Sequence, residues 1–476
     1  MSLNSLALTR VYHMAKSTDT QLTDRHMNVL EYAWHYYRNN SIGPLYQNIF
    51  RNTGVNKTEL ADIFPHGLNS VFSWIGIPIQ GKDDGCKAMV SLEVENLKEV
   101  YLDHNATTPL RPEVSTAMIA FLQDPRSYGN ASSAYDVGSI AYDVIEQARR
   151  KVAACLRTMP QEIFFVGSGS EANNLAIKGL VDQQPKGGGH FVTTCVEHPS
   201  MLQVGQYLET QGHDVTYLPV RLDGTLSVDE VRSAIRPDTI AVSIMAANNE
   251  IGTIFPLREI GEICQQHSVP LVVDAIQALG KIPLSPKELG ISVMTMSGHK
   301  IGAPKGVGAM FVDQSLELVP QIHGGSQESG LRAGTENVLG IHAMGLASEL
   351  AVKEVQSLSR HLLELREYFL GKLGKLAPDA IVNGAMENRL PNNLSIGFPG
   401  IDSGSILLSL NQIGVFVSAG SACSAGNDKH SHVLEAIGLD ASKYGTVRFS
   451  FGMSTTREDL DYLFEHLPAV LDGLDN

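Results

Sequence analysis

Between Val100 and about residue 312, seven apolar runs alternate with stretches of helical periodicity: EIFFVGSGS, HFVTTCV, DVTYLPV, TIAVSIMAA, VPLVVDAIQ, VMTMSGHK and GAMFV. No other feature of the chain narrows its fold as much. Strands that are apolar along their whole length are buried on both faces, and alternation with helices joins them by crossovers. The pattern therefore predicts a mainly parallel sheet covered on each side by helices, an α/β fold. In such sheets ligands bind beyond the carboxyl ends of the strands, so the polar residues that close these runs are the first place to look for chemistry.

The sheet accounts for only part of a chain of 476 residues, which exceeds the roughly 250–300 residues that one core supports. After about residue 355 the pattern becomes one long helix, SRHLLELREYFLGKLGKL, followed by shorter elements, which predicts a separate smaller domain. From about residue 22 to 80 the periodicity is helical. Leu22, Thr23 and Met27 read as staple, N-cap and staple partner, and Leu30, Trp34 and Tyr37 share a face. NNSIGP, NTGVN and FPHG punctuate this module as turns, and IQGKDDG reads as the start of a linker.

Composition excludes several functions. A net charge of −15 argues against nucleic acid or an anionic membrane as the main partner. The five cysteines, Cys86, Cys155, Cys195, Cys264 and Cys423, form no C-x-x-C pair. They are too sparse for a disulfide framework or a zinc cage, and no metal site is expected. Reduced thiols in the cytoplasm are the expectation. The N-terminus shows no apolar segment of signal-peptide length, and no run of apolar residues is long enough to span a bilayer, so neither export nor membrane insertion is expected. Cys155, Cys195 and Cys264 lie in apolar patterns and read as small core residues.

At the strand ends, VGSGSEANNLAIKG passes through a Gly/Ser turn into a helix whose free amides near Gly169 and Ser170 suit an anion. By itself such a turn is as often plain strand-to-helix geometry. VVDAIQ closes a buried strand with Asp274, a carboxylate that must be paired or functional. MSGHK closes another with Ser297, His299 and Lys300, and a partly buried lysine is costly unless neutral, paired or covalently used. VEHPS places His198 at a further strand end, where alone it reads as a hydrogen-bonded core histidine. Together, a phosphate cradle, a carboxylate, a lysine and an imidazole that stacks on a ring are the parts that pyridoxal phosphate requires.

The ordered motifs YLDHNATTPLRPEV, YGNASSAYDVG, GSEANNLAIKG, EHPSM, SIMAANNEIGTIFPL, VDAIQALGKIPL, SGHKIGAPKGVGAMFV, HGGSQESGLRAGTENV and SAGSACSAG closely resemble those of NifS/IscS-type cysteine desulfurases. These are pyridoxal-phosphate enzymes of the class V aminotransferase group, and the resemblance covers about residues 98–470. It implies the aspartate-aminotransferase-like fold type I, with a large cofactor domain over 113–354 and a small α+β domain formed by 100–112 and 355–476. By the same resemblance Lys300 matches the lysine to which the cofactor is joined. Asp274 matches the partner of the ring nitrogen, Gln277 the contact to the ring hydroxyl and His198 the stacking imidazole. Gly169, Ser170, Ser297 and His299 match phosphate contacts, Asn249 and Arg448 the contacts to the substrate carboxylate. Thr335 matches a residue that reaches the phosphate of a neighbouring subunit, implying a homodimer. The activity implied is the conversion of L-cysteine to L-alanine, with Lys300 as general base, His198 near the substrate thiol and Cys423 taking the sulfur as a persulfide for acceptor proteins. His104, Asn105, Ala131 and Tyr135 depart from the family's commoner residues, and the phosphate loop reads Gly-Ser in place of Ala-Thr. GSAC resembles the subgroup with a long cysteine loop, which favours cysteine over selenocysteine.

Residues 1–90 resemble a different family, the DsrC/TusE sulfur-relay proteins, through LTDRHMNVLEYAWHYYRNNSIGP, ELADIFPHG and IGIPIQGKDDGC. The resemblance implies a helical carrier with a sulfur-accepting cysteine on an arm, at Cys86, and a linker over 91–99. Phe72 stands where some members have a second cysteine. In that family the arm is a free C-terminus, whereas here the chain continues. Fourteen residues from Cys86 to Val100 span at most roughly 45 Å, so sulfur passage from Cys423 to Cys86 is geometrically allowed. The acceptors implied are iron–sulfur scaffolds and tRNA-thiolation relay proteins. A helix-turn-helix regulator with a pyridoxal-phosphate domain is the alternative, disfavoured because residues 1–95 carry near-balanced charge and no basic stripe. An aminotransferase or selenocysteine lyase is the other alternative.

Overall fold

The computed structural model describes residues 3, 5–17, 20–40, 46–64, 68–75, 98–184, 187–420 and 431–474. The chain divides into two compact units, Met1–Asn96 and Leu97–Asn476. Parts of NNSIGP and FPHG, all of IQGKDDG, both Cys86 and Cys423, and most of the expected 91–99 linker fall outside the described residues.

The first unit is helical: α1 (Ser5–Ser17), α2 (Asp24–Asn40), α3 (Tyr46–Thr53), α4 (Lys57–Ile63) and α5 (Leu68–Ile75). Ahead of α2, the Thr23 hydroxyl pairs with His26 Nδ1 at 2.7 Å, and His26 Nε2 lies 2.9 Å from the Ile63 carbonyl. That histidine is buried edge-on to Phe64 and stacked on Trp74, so the start of α2 is fastened to the end of α4 and to α5. Leu30 is fully buried, and Leu22, Met27, Trp34 and Tyr37 pack against the same core. Phe72 faces that core as well, which is a packing role for the side chain at this position.

The second unit opens with β1 (Val100–Tyr101) and continues through β2 (Ile163–Val166), β3 (His190–Thr194), β4 (Asp214–Leu218), β5 (Thr239–Met245), β6 (Leu271–Asp274), β7 (Val293–Ser297) and β8 (Gly308–Val312). Its helices up to that point are α6 (Pro112–Gln123), α7 (Asp136–Leu156), α8 (Gly169–Val181), α9 (Pro199–Thr210), α10 (Val228–Ala234) and α11 (Leu257–Gln266). The seven apolar runs of the sequence become the seven strands of one sheet, in the order β2-β8-β7-β6-β5-β3-β4. Only β8 runs antiparallel to its neighbours. β3, β5, β6, β7 and β8 are almost wholly buried, as runs of Val, Ile, Met and Phe between two helical layers must be; each such side chain contributes about 1.5–3 kcal/mol.

α12 (Val338–Leu376) then runs for 39 residues, which corrects the expected start near residue 355. Asn337 caps it by accepting from the Gly340 amide at 3.0 Å. Its first half is rich in Gly and Ala, and Gly345 lies so close to Ala148 of α7 that a Cβ would sit 2.6 Å from that residue's Cα. Close backbone packing needs small residues, which blur the apolar stripe that announces a helix in sequence. α12 thus crosses position 354 without a break.

The remaining elements are β9 (Ile381–Asn383), β10 (Asn393–Pro399), α13 (Ser403–Gln412), β11 (Val415–Phe416), α14 (His432–Ala436), β12 (Tyr444–Ser450) and α15 (Arg457–Asp472). β12, β10 and β9 form an antiparallel sheet, and β11 pairs with β1. Their core is centred on Phe369 of α12, whose ring lies 4.8 Å from Phe449 and 5.0 Å from Phe464. Val100 and Leu102 belong to this core, whereas Val433 and Leu434 of α14 pack into the core of the large sheet. No helix among the described residues is long and apolar enough to cross a membrane.

Candidate active site

The polar residues of the site sit just beyond the carboxyl ends of the parallel strands. Asp274 ends β6 and Ser297 ends β7, with Lys300 in the tight turn that follows. Ser168 and Gly169 follow β2 and open α8, and His198 follows β3 and caps α9. A parallel sheet forces this clustering, because every crossover leaves the same edge.

Asp274 is 5% exposed. Its Oδ2 accepts from Asn173 Nδ2 at 2.8 Å and its Oδ1 from the Ile276 amide at 3.0 Å. These neutral donors orient the carboxylate without neutralising it. Asn173 also donates to Ser200 Oγ at 3.0 Å and accepts from Thr295 Oγ1 at 2.6 Å. Ser200 in turn meets His198 Nδ1 through its hydroxyl at 2.8 Å and through its amide at 3.1 Å. Because the amide can only donate, Nδ1 is the acceptor and the ring proton resides on Nε2. Burial, above all, pushes the His198 pKa down, with the nearby Lys300 and His432 adding to it against Asp274. One hydrogen-bonded chain therefore fixes both the imidazole and the carboxylate.

Lys300 Nζ donates to the carbonyls of Asn105, at 2.5 Å, and Ala106, at 2.8 Å. The HNATT segment is laced to the same turn: Thr108 donates from its amide and its hydroxyl to the His299 carbonyl at 2.9 Å, and His299 Nδ1 lies 3.1 Å from Thr107 Oγ1. Burial and the adjacent lysines Lys300 and Lys305 pull His299 down to about 4, so it is neutral at ordinary pH and offers a donor without a charge.

Asn105, which in the sequence stood out only as a departure, is the hub of the pocket. Its carbonyl also accepts from Gln277 Nε2 at 2.9 Å, and its Nδ2 donates to the Asn249 carbonyl at 3.1 Å. Its Oδ1 receives Asn392 Nδ2 at 2.9 Å and Lys281 Nζ at 3.2 Å. Lys281 is buried, and it donates to Gln277 Oε1 at 2.8 Å. Burial first, then the positive charges of Lys300 and Arg448, holds its amine well below the usual lysine range. The sequence offered a sign of this in the short spacing from Gln277 to Lys281, within reach of each other on one turn.

Arg448, on β12, is 1% exposed. Its Nη2 pairs with Asp103 Oδ1 at 2.7 Å and its Nη1 donates to the Asn249 carbonyl at 3.1 Å, while its Nε has no partner. A buried guanidinium with a spare donor suits a small carboxylate ligand. Asn249 lies beside it and is half-buried.

Two of the expected residues lie at the surface. Ser170, in the first turn of α8, is exposed, as is Thr335, which lies in the segment tied to α8 by the pair Arg332 Nε to Glu171 Oε1 at 2.7 Å. Of the remaining cysteines, Cys264 is buried in the core and Cys195, partly buried, packs against it, whereas Cys155 is only partly buried, a correction to its reading as a core residue. Burial lifts Cys155 to about 11 and Cys264 to about 12, which makes both poor nucleophiles.

The residues fit pyridoxal phosphate. The N-terminus of α8 presents its first amides beside Ser297, and a Cβ on Gly169 would lie 2.2 Å from Ile276 Cδ1 and 3.4 Å from Ser297 Cβ, so glycine lets the helix approach without displacing the Ile276 side chain. Asp274 is a buried carboxylate that lacks a cationic partner, the condition a protonated ring nitrogen fulfils. Among the described residues no group of three His, Cys, Asp or Glu side chains is placed to hold a metal.

Comparison with known proteins supports the same reading. The aminotransferase class-V family matches residues 100–463. The cysteine desulfurase IscS of Dictyoglomus turgidum is 44% identical over 378 residues, covering 79% of this chain and 95% of that protein. A solved NifS-like protein superposes with a TM-score of 0.74 at 36% identity, covering 79% of this chain and all of that one. SspA, solved in complex with cysteine, superposes with a TM-score of 0.66 at 34% identity over 74% of this chain and 98% of its own. The second unit therefore has fold type I of the pyridoxal-phosphate enzymes.

Proposed function

Since the chain belongs to the class-V aminotransferase family and is a pyridoxal-phosphate-dependent cysteine desulfurase of the NifS/IscS type, we propose that its chemistry is divided among Lys300, His198 and Cys423. The observation that carries this division is the chain of hydrogen bonds from His198 through Ser200 and Asn173 to Asp274, opposite a lysine held by two carbonyls.

The cofactor, when bound, supplies an electron sink for the substrate's Cα. Asp274 would keep its ring nitrogen protonated, Gln277 would meet its ring hydroxyl and His198 would lie against its ring. Gly169, Ser170, Ser297 and His299 would hold its phosphate, and Thr335 of a second copy would reach the same phosphate in a homodimer. L-Cysteine enters with its carboxylate on Arg448 and Asn249. Lys300 Nζ, held at the strand end by the Asn105 and Ala106 carbonyls, is the base for the Cα proton. His198, with its proton on Nε2, manages the proton of the substrate thiol. The Cys423 thiolate then attacks the substrate sulfur. An S–S bond forms, the Cβ–S bond breaks with its electron pair left on carbon, and that carbon collects protons and leaves as alanine.

Lys300→Ala is expected to abolish alanine formation from cysteine. Cys423→Ser is expected to lower it at least about 100-fold, as loss of a nucleophile does. Alanine production that survives Cys423→Ser would favour an aminotransferase or lyase instead.

The persulfide is passed to acceptor proteins. We place residues 1–90 as a TusE/DsrC-like carrier with Cys86 as first acceptor, in the same chain or across the dimer. The helical unit with its anchored α2 supports that reading. It tilts the destination toward tRNA thiolation beside iron–sulfur assembly, in the reducing cytoplasm that a sulfane-carrying thiol requires. Cysteine carrying labelled sulfur decides the relay: label on the Cys86 peptide, lost in Cys86→Ser, is the expected result. An unchanged label distribution in that variant would sink it.

A further inference from the structure

Glu250 is a buried carboxyl that this chemistry leaves without a task. It is 1% exposed. Its amide is held by Asn248 Oδ1 at 2.9 Å and its carbonyl accepts from Asn393 Nδ2 at 3.1 Å, so the residue is fixed by its backbone alone. The carboxyl has a different engagement. Oε2 accepts from Ser431 Oγ at 2.5 Å, and the same hydroxyl accepts from the Leu434 amide at 3.2 Å as the N-cap of α14. On the other side lies Gly420, with φ of +112°, where a Cβ would sit 2.7 Å from Glu250 Oε2 and 3.9 Å from Ser431 Cβ. Residues 421–430, which include Cys423, lie between Gly420 and Ser431 in the sequence. One carboxyl thus bonds the residue that follows the cysteine segment and lies close beside the residue that precedes it.

The same carboxyl lies next to the substrate pocket. Asn249 precedes it in the chain and accepts from Arg448 Nη1 at 3.1 Å. Two residues before Gly420, Ser418 donates to Asp103 Oδ2 at 2.7 Å, and Asp103 Oδ1 pairs with Arg448 Nη2. Both roots of the segment are therefore referred to the arginine proposed to hold the substrate carboxylate. A thiol delivered from a segment with fixed roots explores a smaller volume than one whose ends separate, and its effective concentration at the substrate sulfur is higher.

We propose that Glu250 is a positioning residue for sulfur transfer: its carboxyl bonds one root of the Cys423 segment through Ser431 and packs close to the other at Gly420, beside Arg448 and Asn249, and so sets where the thiol arrives. The inference rests on Cys423 being the sulfur acceptor and goes beyond it. The full-length holoenzyme carrying Glu250→Ala, Glu250→Gln, Ser431→Ala or Cys423→Ser tests it with three readouts. These are solvent-deuterium exchange at the substrate Cα, persulfide mass on Cys423 in a single turnover, and amide hydrogen exchange across α14 without substrate.

Glu250→Ala is expected to leave Cα exchange within about twofold, to slow persulfide loading about tenfold or more, and to raise amide exchange in α14. Glu250→Gln, which keeps an acceptor for the Ser431 hydroxyl, is expected to restore loading. Ser431→Ala is expected to reproduce the slow loading, and it carries the test alone if Glu250→Ala does not fold. Normal loading in Glu250→Ala, or Cα exchange and loading falling together, would overturn the proposal. Rapid alanine formation by Cys423→Ser would instead remove the reading it rests on, which keeps the two failures distinct.

Discussion

Glu197 shows how much a single buried side chain sets at this site. It adjoins His198, is fully enclosed, and its Oε1 accepts from Thr194 Oγ1 at 2.7 Å and from the Met245 amide at 3.0 Å, while Oε2 has no partner. Burial lifts its carboxyl from 4.5 to about 8, Asp274 adding to the effect against the two hydrogen bonds. The folded protein therefore holds a proton there that the unfolded chain releases above its ordinary carboxylate range. That contribution to stability is fully present below about pH 4.5 and is lost as pH rises toward 8. Glu197→Gln is neutral at every pH, so urea unfolding from pH 5 to 8 is expected to show a smaller decline than wild type, by at most a few kcal/mol. Parallel declines would contradict the assignment. A glutamate inside VEHPS gives no hint of this, because sequence shows a charge and not the absence of a counter-charge. Lys300, Asp274 and His198 were legible because motif and strand end coincide at each. Asn105 and Glu250 were not, since their importance lies in partners such as Asn392 and Ser431, 287 and 181 residues away in sequence.

At the scale of elements, the strands were the easiest to read. A parallel strand buried on both faces has a local signature, and each of the seven runs became a strand. α12 was harder because its packing against α7 rests on small residues. Gly345→Ala would place a methyl 2.6 Å from Ala148 Cα and is expected to cost about 1–3 kcal/mol by overpacking. Gly371, in the same helix, has nothing within 4 Å of a Cβ, so Gly371→Ala is expected to add about 0.5–1 kcal/mol. Urea unfolding of the two variants reads both signs, and equal effects would show that α12 is not held by close approach at Gly345. The region after residue 376 holds the shorter elements β9 to β12 and α13 to α15. That α14 packs with the core of the large sheet had no local sign, since Val433 and Leu434 would fill either core equally well.

The whole molecule joins a desulfurase to a second helical unit, and that arrangement shapes the account. The family match lies within the second unit, so conversion of cysteine to alanine belongs there, and the carrier role proposed for the first unit would decide where the sulfur goes next. The negative charge of the chain fits small-molecule and protein partners. The two tethered thiols, Cys423 and Cys86, stand in segments of small and polar residues where propensity favours no helix or strand. The roles proposed for them rest on motif resemblance, and both lie outside the described residues. The central claim is that sulfur leaves L-cysteine onto Cys423. Incubating the holoenzyme with one equivalent of 34S-labelled cysteine and measuring the intact peptide containing Cys423 tests it directly. The account predicts one labelled sulfur added to that peptide, in step with alanine and absent in Lys300→Ala; alanine released with no added sulfur on Cys423 would contradict it.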